Sequence, residues 1–468
     1  SQKQWDKFKE VASEHALNMD NPVGFVNPVA RETVWSSPYK SLVSTCYDFI
    51  ENNHIPPLIL KLLLNESNRL ITDFDNEKNI VEKIYNITSN LNNSYLAIQG
   101  PPGTGKSTTL GEVISRLYKD GHRIGIVGPS YKATLNLVKK ITPHLDPGVD
   151  VNFRGGGQEI KLEIESLDNV KSISTLNKDD SGLIATYVNS ICNESYLDYF
   201  DYIVIDEVGQ VPLVTTIATT QSTKNLILVG DPNQLPQVRN GSHPNNNGLS
   251  TLEFLIGEDT TLPADKGLFL DTTYRMHPDV NNFISKYFYD DKLKPHSVTK
   301  TRTLNITSDL FKDSGIQFIS VNHSGNTQES QEEVQVVYQL VNELIGKTII
   351  ENKTERFIKE KDILIVSPYN LQVFELSKKL GDNYRIGTVD KFQGQEAPIV
   401  IVSLAASNYE EAPRGIDFIL NFNRMNVALS RSQCLSIVIG SPSLTHLHYQ
   451  SLNSIRLTNF HRTLMNPS

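Results

Sequence analysis

From about residue 72 onward the chain repeats one pattern: a short apolar run, a polar or glycine-rich break, then a stretch with apolar residues at helical spacing. The apolar runs at 95–98, 124–127, 202–205 and 226–229 suit short buried strands, and 107–119 and 133–141 carry the helical period between them. Alternation of this kind predicts a mostly parallel sheet with helices on both faces. A second series follows, with strands expected at 316–321, 363–366, 385–389, 399–402 and 435–439 and amphipathic helices at 332–344 and 370–380. The fold class is α/β, with one parallel-sheet domain expected at 72–265, another at 266–468, and a seam near 263–267. Two stretches break the rhythm. The segment 146–180, with Gly155-Gly156-Gly157, is expected as an insertion on the first domain, and 239–247, rich in Gly, Asn, Ser and Pro, as a loop. The first 71 residues are mixed, with scattered aromatics (Trp5, Phe8, Phe25, Trp35, Tyr39, Tyr47) and an apolar helical stretch at 58–64, and name no chemistry.

Composition narrows the class only a little. A chain of 468 residues, 38% hydrophobic and 21% charged, has the length for each half to bury its own core. No apolar run reaches the roughly 20 residues of a membrane span, and no secretory signal opens the chain. Residues 1–10 read like the middle of a sequence, so a longer parent protein is expected. Cys46, Cys192 and Cys434 are isolated, and no Cys/His cluster has zinc or iron–sulfur spacing, which points to a reducing, cytoplasmic setting. The formal charge of −9 argues against an all-basic surface but leaves room for a local positive groove.

Chemistry first appears at Gly100, Pro101, Pro102, Gly103, Thr104, Gly105, Lys106, Ser107 and Thr108, where the phosphate-binding pattern G-x-x-x-x-G-K-[ST] is complete through Ser107. It follows an expected strand and opens an expected helix, as the mechanism requires. Glycines let backbone N–H groups wrap phosphates, and a helix N-terminus adds a favourable field. Lys106 is the residue for the β/γ-phosphates, and the Ser107 hydroxyl for one place on Mg²⁺. Asp206 and Glu207 end the run 202–205. Adjacent carboxylates there divide the work, Asp206 for the metal and Glu207 to orient and deprotonate the attacking water. These residues describe a nucleoside triphosphatase of no narrower class.

Further blocks narrow it. Asp206-Glu207-Val208-Gly209-Gln210, Gly230-Asp231-Pro232-Asn233-Gln234-Leu235-Pro236 and Tyr274-Arg275-Met276-His277-Pro278 occur in that order. They resemble motifs II, III and the Tyr-Arg-Met-His-Pro box of superfamily-1 helicases, in the branch that includes the nonsense-mediated-decay helicase. Pro368-Tyr369-Asn370-Leu371-Gln372 resembles motif IV, the run from Gly387 to Glu396 motif V, and Asn426-Val427-Ala428-Leu429-Ser430-Arg431 motif VI. Gly241-Ser-His-Pro, Gly267-Leu-Phe-Leu-Asp-Thr-Thr and Ala412-Pro-Arg-Gly resemble more closely the helicase half of bacterial proteins in which a RecB-like nuclease precedes the motor. No nuclease is expected in this chain, because the first 71 residues are too few and carry no metal-carboxylate set.

The resemblance implies two tandem RecA-like domains with ATP and Mg²⁺ in the cleft between them, moving 5′→3′ along single-stranded nucleic acid, DNA before RNA. Gln234 would contact the γ-phosphate, and Arg275 and Arg431 would act as arginine fingers. Tyr274 would stack on the base, and Glu396 would hold the ribose hydroxyls. Pro129, Ser130, Thr186, Pro368 and Thr388 would grip the strand through backbone and hydroxyl groups. Three departures stand out. Phe74-Asp-Asn-Glu-Lys78 replaces the Leu-Asn-x-x-Gln element that reads adenine, Gln433 replaces a second motif VI arginine, and Val208 replaces an alanine. Rival readings are an RNA-directed motor of the same fold, a non-enzymatic strand clamp, and a P-loop ATPase of another class. The last leaves motifs IV to VI unexplained.

Overall fold

The computed structural model describes residues 37–52, 55–175, 182–236, 248–306, 311–351, 353–392, 394–408, 413, 415–445 and 452–466. Trp5, Phe8, Phe25 and Trp35, the expected loop 239–247 with its Gly241 block, and Gln393, Ala412 and Arg414 lie outside the described residues. The chain divides into two units. The first holds the described residues up to Gly100 together with 105–232 and 236–269, and the second holds 101–104, 233–235 and the chain from Leu270 onward.

The first unit is built on eight strands: β1 Tyr95–Gln99, β2 Ile124–Gly128, β3 Val151–Arg154, β4 Val170–Ile173, β5 Leu183–Tyr187, β6 Phe200–Ile205, β7 Thr223–Gly230 and β8 Gly267–Phe269. They form one sheet in the order β4-β3-β5-β2-β6-β7-β1-β8, and every pairing is parallel. β1 and β2 are buried along their whole length, as expected of strands covered on both faces. The helices Lys106–Lys119 and Tyr131–Ile141 start one residue and two residues earlier than the sequence pattern places them. The segment 146–180, expected as an insertion, contributes β3, the helix Gln158–Glu165 and β4 to the sheet. Its apolar signal is weak because β4 is an edge strand with Lys171 and Ser172 exposed, so few of its residues need be apolar. Part of the unassigned N-terminal stretch also belongs to this unit. Leu58 and Leu62, on the helix Pro57–Leu64, join the core of Ile203, Ile205, Leu226 and Leu228, and the Ser41 hydroxyl donates to the Ala218 carbonyl at 2.8 Å.

The second unit carries β9 Thr272–Thr273, β10 Lys294–Pro295, β11 Thr303–Asn305, β12 Gly315–Ser320, β13 Thr348–Glu351, β14 Thr354–Phe357, β15 Ile363–Val366, β16 Arg385–Gly387, β17 Ala397–Ser403 and β18 Ser432–Gly440. Its main sheet is five-stranded and parallel, in the order β12-β18-β17-β15-β16. The helix Gln331–Leu344 buries Val334, Val337, Val341 and Leu344, one stripe at helical spacing, in the core with Ile365, Ile401 and Ile437. A small antiparallel sheet, β11-β13-β14, has no counterpart in the sequence reading. The strand expected at 385–389 stops at Gly387 because the chain turns back on itself. A Cβ at Gly387 would lie 2.6 Å from the Lys391 side chain and 3.0 Å from the Phe392 ring. Among the described residues no helix is long and apolar enough to cross a membrane.

The helix Leu452–Met465 packs on β12, with the His461 ring 5.4 Å from that of Phe318. Burial pushes the imidazole down to about 4, while a backbone hydrogen bond at Leu444 acts the other way. Folded His461 is therefore neutral where the unfolded residue, titrating near its ordinary 6.5, takes a proton. Its contribution is complete above pH 6.5 and is lost as pH falls toward 4, by up to about 3 kcal/mol. His461→Leu should flatten the fall of stability over that window, read as denaturant midpoints against pH. Equal slopes in the two proteins would refute the assignment.

Candidate functional site

The site of the first unit sits at the carboxyl ends of β1, β6 and β7. In an all-parallel sheet those ends open on one edge, where ligands of such folds bind. The loop after β1 begins with the Gly100 N–H donating to Gly230 O at 2.9 Å. It ends at Gly105, whose φ of 76° lies in the left-handed region, as does that of Gly103 at 74°. Gly105 is the N-cap of the helix Lys106–Lys119 and offers no side-chain cap. The first N–H groups of that helix are thus left for an anion, as P-loop chemistry needs. The Lys106 ammonium donates to the Gly100 carbonyl, folding the side chain back over the loop.

Asp206 follows β6, with its N–H donating to Val127 O at 2.9 Å. Its Oδ1 is sealed from solvent and has no hydrogen-bond partner among the described residues. The carboxyl is pushed up to about 6, first by burial and then by repulsion from Glu207. The ammonium groups of Lys106 and Lys140 and a backbone hydrogen bond at Glu207 pull the other way. A buried carboxylate oxygen with nothing to accept from suits a hard cation, and a hydroxyl such as that of Ser107 is the partner such a cation takes. The residues fit Mg²⁺. Glu207 is held at φ 52°, ψ 39°, a left-handed conformation unusual outside glycine, and opens the turn Val208–Gln210. Strain of this kind persists only where the surroundings enforce it. Here they do. A Cβ on Gly209 would lie 2.9 Å from the Asp231 carbonyl, and one on Gly230 would lie 2.8 Å from Val208 N. The two motif glycines let the turn after β6 press against the end of β7. Gln99, which the sequence reading passed over, ties in the last corner. Its amide donates to Asp231 Oδ1 at 3.3 Å, and its carbonyl oxygen accepts from Leu262 N at 2.7 Å. The signal was one polar residue closing the otherwise apolar run Tyr95–Gln99.

Of the residues expected to grip the strand in this unit, Pro129 is partly exposed and Ser130 exposed. The Ser130 hydroxyl accepts from Ala133 N at 3.1 Å and so caps the helix Tyr131–Ile141. Thr186 is fully buried, and its hydroxyl donates to Arg154 O at 2.8 Å. With no part of the residue open to solvent and its carbonyl also accepting from Thr134, Thr186 does not meet the expectation that it grips a strand.

In the second unit, residues 101–104 of the loop lie against the Tyr-Arg-Met-His-Pro box. Thr273 donates to Pro102 O at 2.9 Å, Tyr274 N donates to Gly103 O at 2.8 Å, and a Cβ on Gly103 would lie 2.6 Å from Thr273 Oγ1. Tyr274 is half exposed and stacks on His296, ring centroids 4.6 Å apart. Arg302 steadies this turn by donating to the carbonyls of Tyr274 at 3.2 Å and Arg275 at 2.7 Å. Arg275 and Glu396 pair with each other, Nε to Oε2 at 2.5 Å, and Arg275 also donates to Ser430 O at 3.1 Å. Burial pushes the Glu396 carboxyl up, but Arg275, Gln433 and Arg302 outweigh it and hold the group below its ordinary value. Arg431 and Gln234 are both buried. Asn423 donates to the Gln234 carbonyl, and Asn426 donates to Asn233 O at 2.7 Å, so Asn233 and Gln234 lie on the motif VI helix Phe422–Leu429.

Pro368 and Thr388 are partly exposed beyond the ends of β15 and β16. Gln372 of motif IV is fully buried. It accepts from Ser330 N and donates to Ser403 Oγ, both at 2.8 Å. Ser403 and Ala405 N in turn donate to the buried Glu333 carboxylate, at 2.6 and 2.9 Å, and His323 lies 3.0 Å from its other oxygen.

Models described as AAA domains match residues 84–240 and residues 250–443. The chain is similar to the DNA replication ATP-dependent helicase/nuclease dna2 of Schizosaccharomyces pombe, 29% identical over 75% of this chain and 26% of that protein. It is similar to the DNA polymerase alpha-associated DNA helicase A of the same yeast, 30% identical over 73% of this chain and 60% of that one. Helicase sen1 of that yeast is 33% identical over 52% of this chain and 14% of its own length. The chain spans less than two thirds of the length of each of these relatives.

The buried Asp206 has a measurable consequence. With its folded value raised to about 6 from the ordinary 3.8, its contribution to stability is complete below the ordinary value and is lost as pH rises through 6. Without divalent cation or nucleotide, Asp206→Asn should therefore melt above wild type at pH 7.5. The gap should close toward pH 4, where both side chains are neutral. A variant no more stable than wild type at pH 7.5 would show that the carboxylate is not buried as described.

Proposed function

From a chain that belongs to the superfamily-1 helicases, we propose an ATP-driven motor that moves 5′→3′ along single-stranded nucleic acid, with DNA preferred to RNA. The observation that carries the nucleotide chemistry is the sealed, unpartnered Asp206 Oδ1 at the same sheet edge as an uncapped helix N-terminus. Backbone N–H groups of the loop Gly100–Thr108 cradle the phosphates, and Lys106 neutralises the β/γ charge. Ser107 and Asp206 would hold Mg²⁺, which would supply charge neutralisation to the phosphates. Glu207, fixed by its strained backbone, orients the attacking water and accepts its proton. Gln234 contacts the γ-phosphate, and Arg275 and Arg431 stabilise charge on the transferring group. Tyr274 stacks on the base, and Glu396 accepts from the ribose hydroxyls. Pro129, Ser130, Pro368 and Thr388 contact the strand without reading its sequence.

Polarity, the DNA preference, a nuclease carried elsewhere in a longer protein and a cytoplasmic setting extend this reading on the strength of the motifs. The name of one relative joins helicase and nuclease in one protein, which supports a nuclease partner.

Strand separation on 5′-tailed and 3′-tailed duplexes of DNA and RNA tests the whole reading. Unwinding should require ATP, Mg²⁺ and a 5′ tail, should vanish in Lys106→Ala, and should fall steeply with salt as phosphate contacts release counterions. Preference for the 3′ tail would reject the polarity, and preference for RNA the substrate. ATPase without strand stimulation would reject the motor.

Arg431→Ala should lower ATP turnover by about 10³-fold or more while weakening nucleotide binding far less, because a finger acts on the transition state. Equal losses in turnover and in binding would make Arg431 a ground-state contact instead.

A further inference from the structure

Gln433 stands where the motif VI resemblance implies a second arginine, and the function above does not use it. It is the second residue of β18, and Glu396 directly precedes β17. The two strands pair in register there, Ala397 opposite Ser432. The Gln433 side-chain amide donates to Glu396 Oε1 at 2.8 Å, while Arg275 Nε donates to Oε2 at 2.5 Å. One carboxylate is thus held by one donor on each oxygen. Both donors are themselves fixed. Gln433 O accepts from His277 N at 2.8 Å, and Arg275 Nη1 donates to Ser430 O at 3.1 Å.

A carboxylate has about four acceptor positions. Two are used here, one on each oxygen, and the Glu396 side chain is 43% exposed, so the carboxylate is open to further donors from outside the chain. Two open positions on a fixed carboxylate match the two adjacent hydroxyls of a ribose. A 2′-deoxyribose offers only one. The choice of residue at 433 follows from the same geometry. Any donor of the right reach at 433 can hold that oxygen, and glutamine does so through a neutral amide, one of whose N–H groups is on Glu396.

We propose that Gln433 is a positioning residue which, with Arg275, aims Glu396 at the sugar hydroxyls and so sets a preference for ribonucleoside over 2′-deoxyribonucleoside triphosphates. This rests on the reading of Glu396 as the ribose-holding residue. Gln433 touches no substrate and acts through Glu396.

The test is steady-state hydrolysis of ATP and of dATP by the full chain with single-stranded DNA. Wild type should show a KM for dATP at least about tenfold above that for ATP, the loss expected of one hydrogen bond to a charged acceptor. Gln433→Ala should bring that ratio to about threefold or less, mainly by raising the KM for ATP rather than by lowering kcat. Gln433→Arg, which still donates at that position, should keep the ratio high. Glu396→Gln should remove the preference altogether. A Gln433→Ala enzyme with the wild-type ratio, beside a Glu396→Gln enzyme that has lost it, would overturn the role of Gln433 and leave that of Glu396 standing. Absence of any preference in wild type, or its survival in Glu396→Gln, would overturn the reading of Glu396 and the inference with it. Equal damage to KM and kcat for both nucleotides in Gln433→Ala would make Gln433 structural.

Discussion

Parallel alignment is the constraint on which the rest depends. A strand buried on both faces cannot return through a tight hairpin to a parallel neighbour, so each one must cross back over the sheet through a longer connection, most often a helix. The result is that every strand of the first sheet ends on the same edge. Gly100, Asp206 and Gly230 come from three distant parts of the sequence, yet each is the first residue after its strand or the last within it. Hydrogen bonding makes the gathering exact, since β1 and β7 pair Gln99 with Gly230 and Asp206 N bonds to the end of β2.

What the gathered residues can do is then a matter of desolvation and close approach. Asp206 is costly to ionise in its sealed position, and the two lysines nearby only partly offset that cost. A buried acid of this kind is stable as a neutral group or with a cation, and little between. Glu207 next to it is strained at the backbone, and that strain is maintained by the contact between Gly209 and Asp231. The glycines of motifs II and III are therefore not loose hinges. They are the positions at which any side chain would force the turn after β6 away from the end of β7.

The second unit reaches a comparable rigidity by polar means. Glu333 is fully buried, and its carboxylate gathers Ser403, Ala405 N and His323, while Gln372 joins Ser403 to Ser330. A buried acid without these partners would be strongly destabilising, so the loops that follow β12, β15 and β17 are held together or not at all.

Local signals were enough for much of this. The apolar runs that became β1, β2, β6, β7, β15, β17 and β18, and the helices beginning at Lys106 and Asn370, were legible because burial on both faces or along one stripe imposes a pattern on consecutive residues. The complete P-loop and the Asp206-Glu207 pair were legible for a similar reason, since phosphate and metal chemistry fixes residue types at short spacing. Edge strand β4 and the sheet β11-β13-β14 were not, because a half-exposed strand needs few apolar residues. Nor could local pattern reveal that Thr186 is buried, that Gln372 is a structural link, that Gln99 secures Asp231, or that Gln433 holds Glu396. Each of these is a hydrogen bond between residues brought together by strand order. Sequence determined the fold class and the kind of chemistry, because both act through neighbours along the chain. Only tertiary structure decided which polar groups are occupied and which are left open, because the partners that occupy them come from elsewhere in the chain.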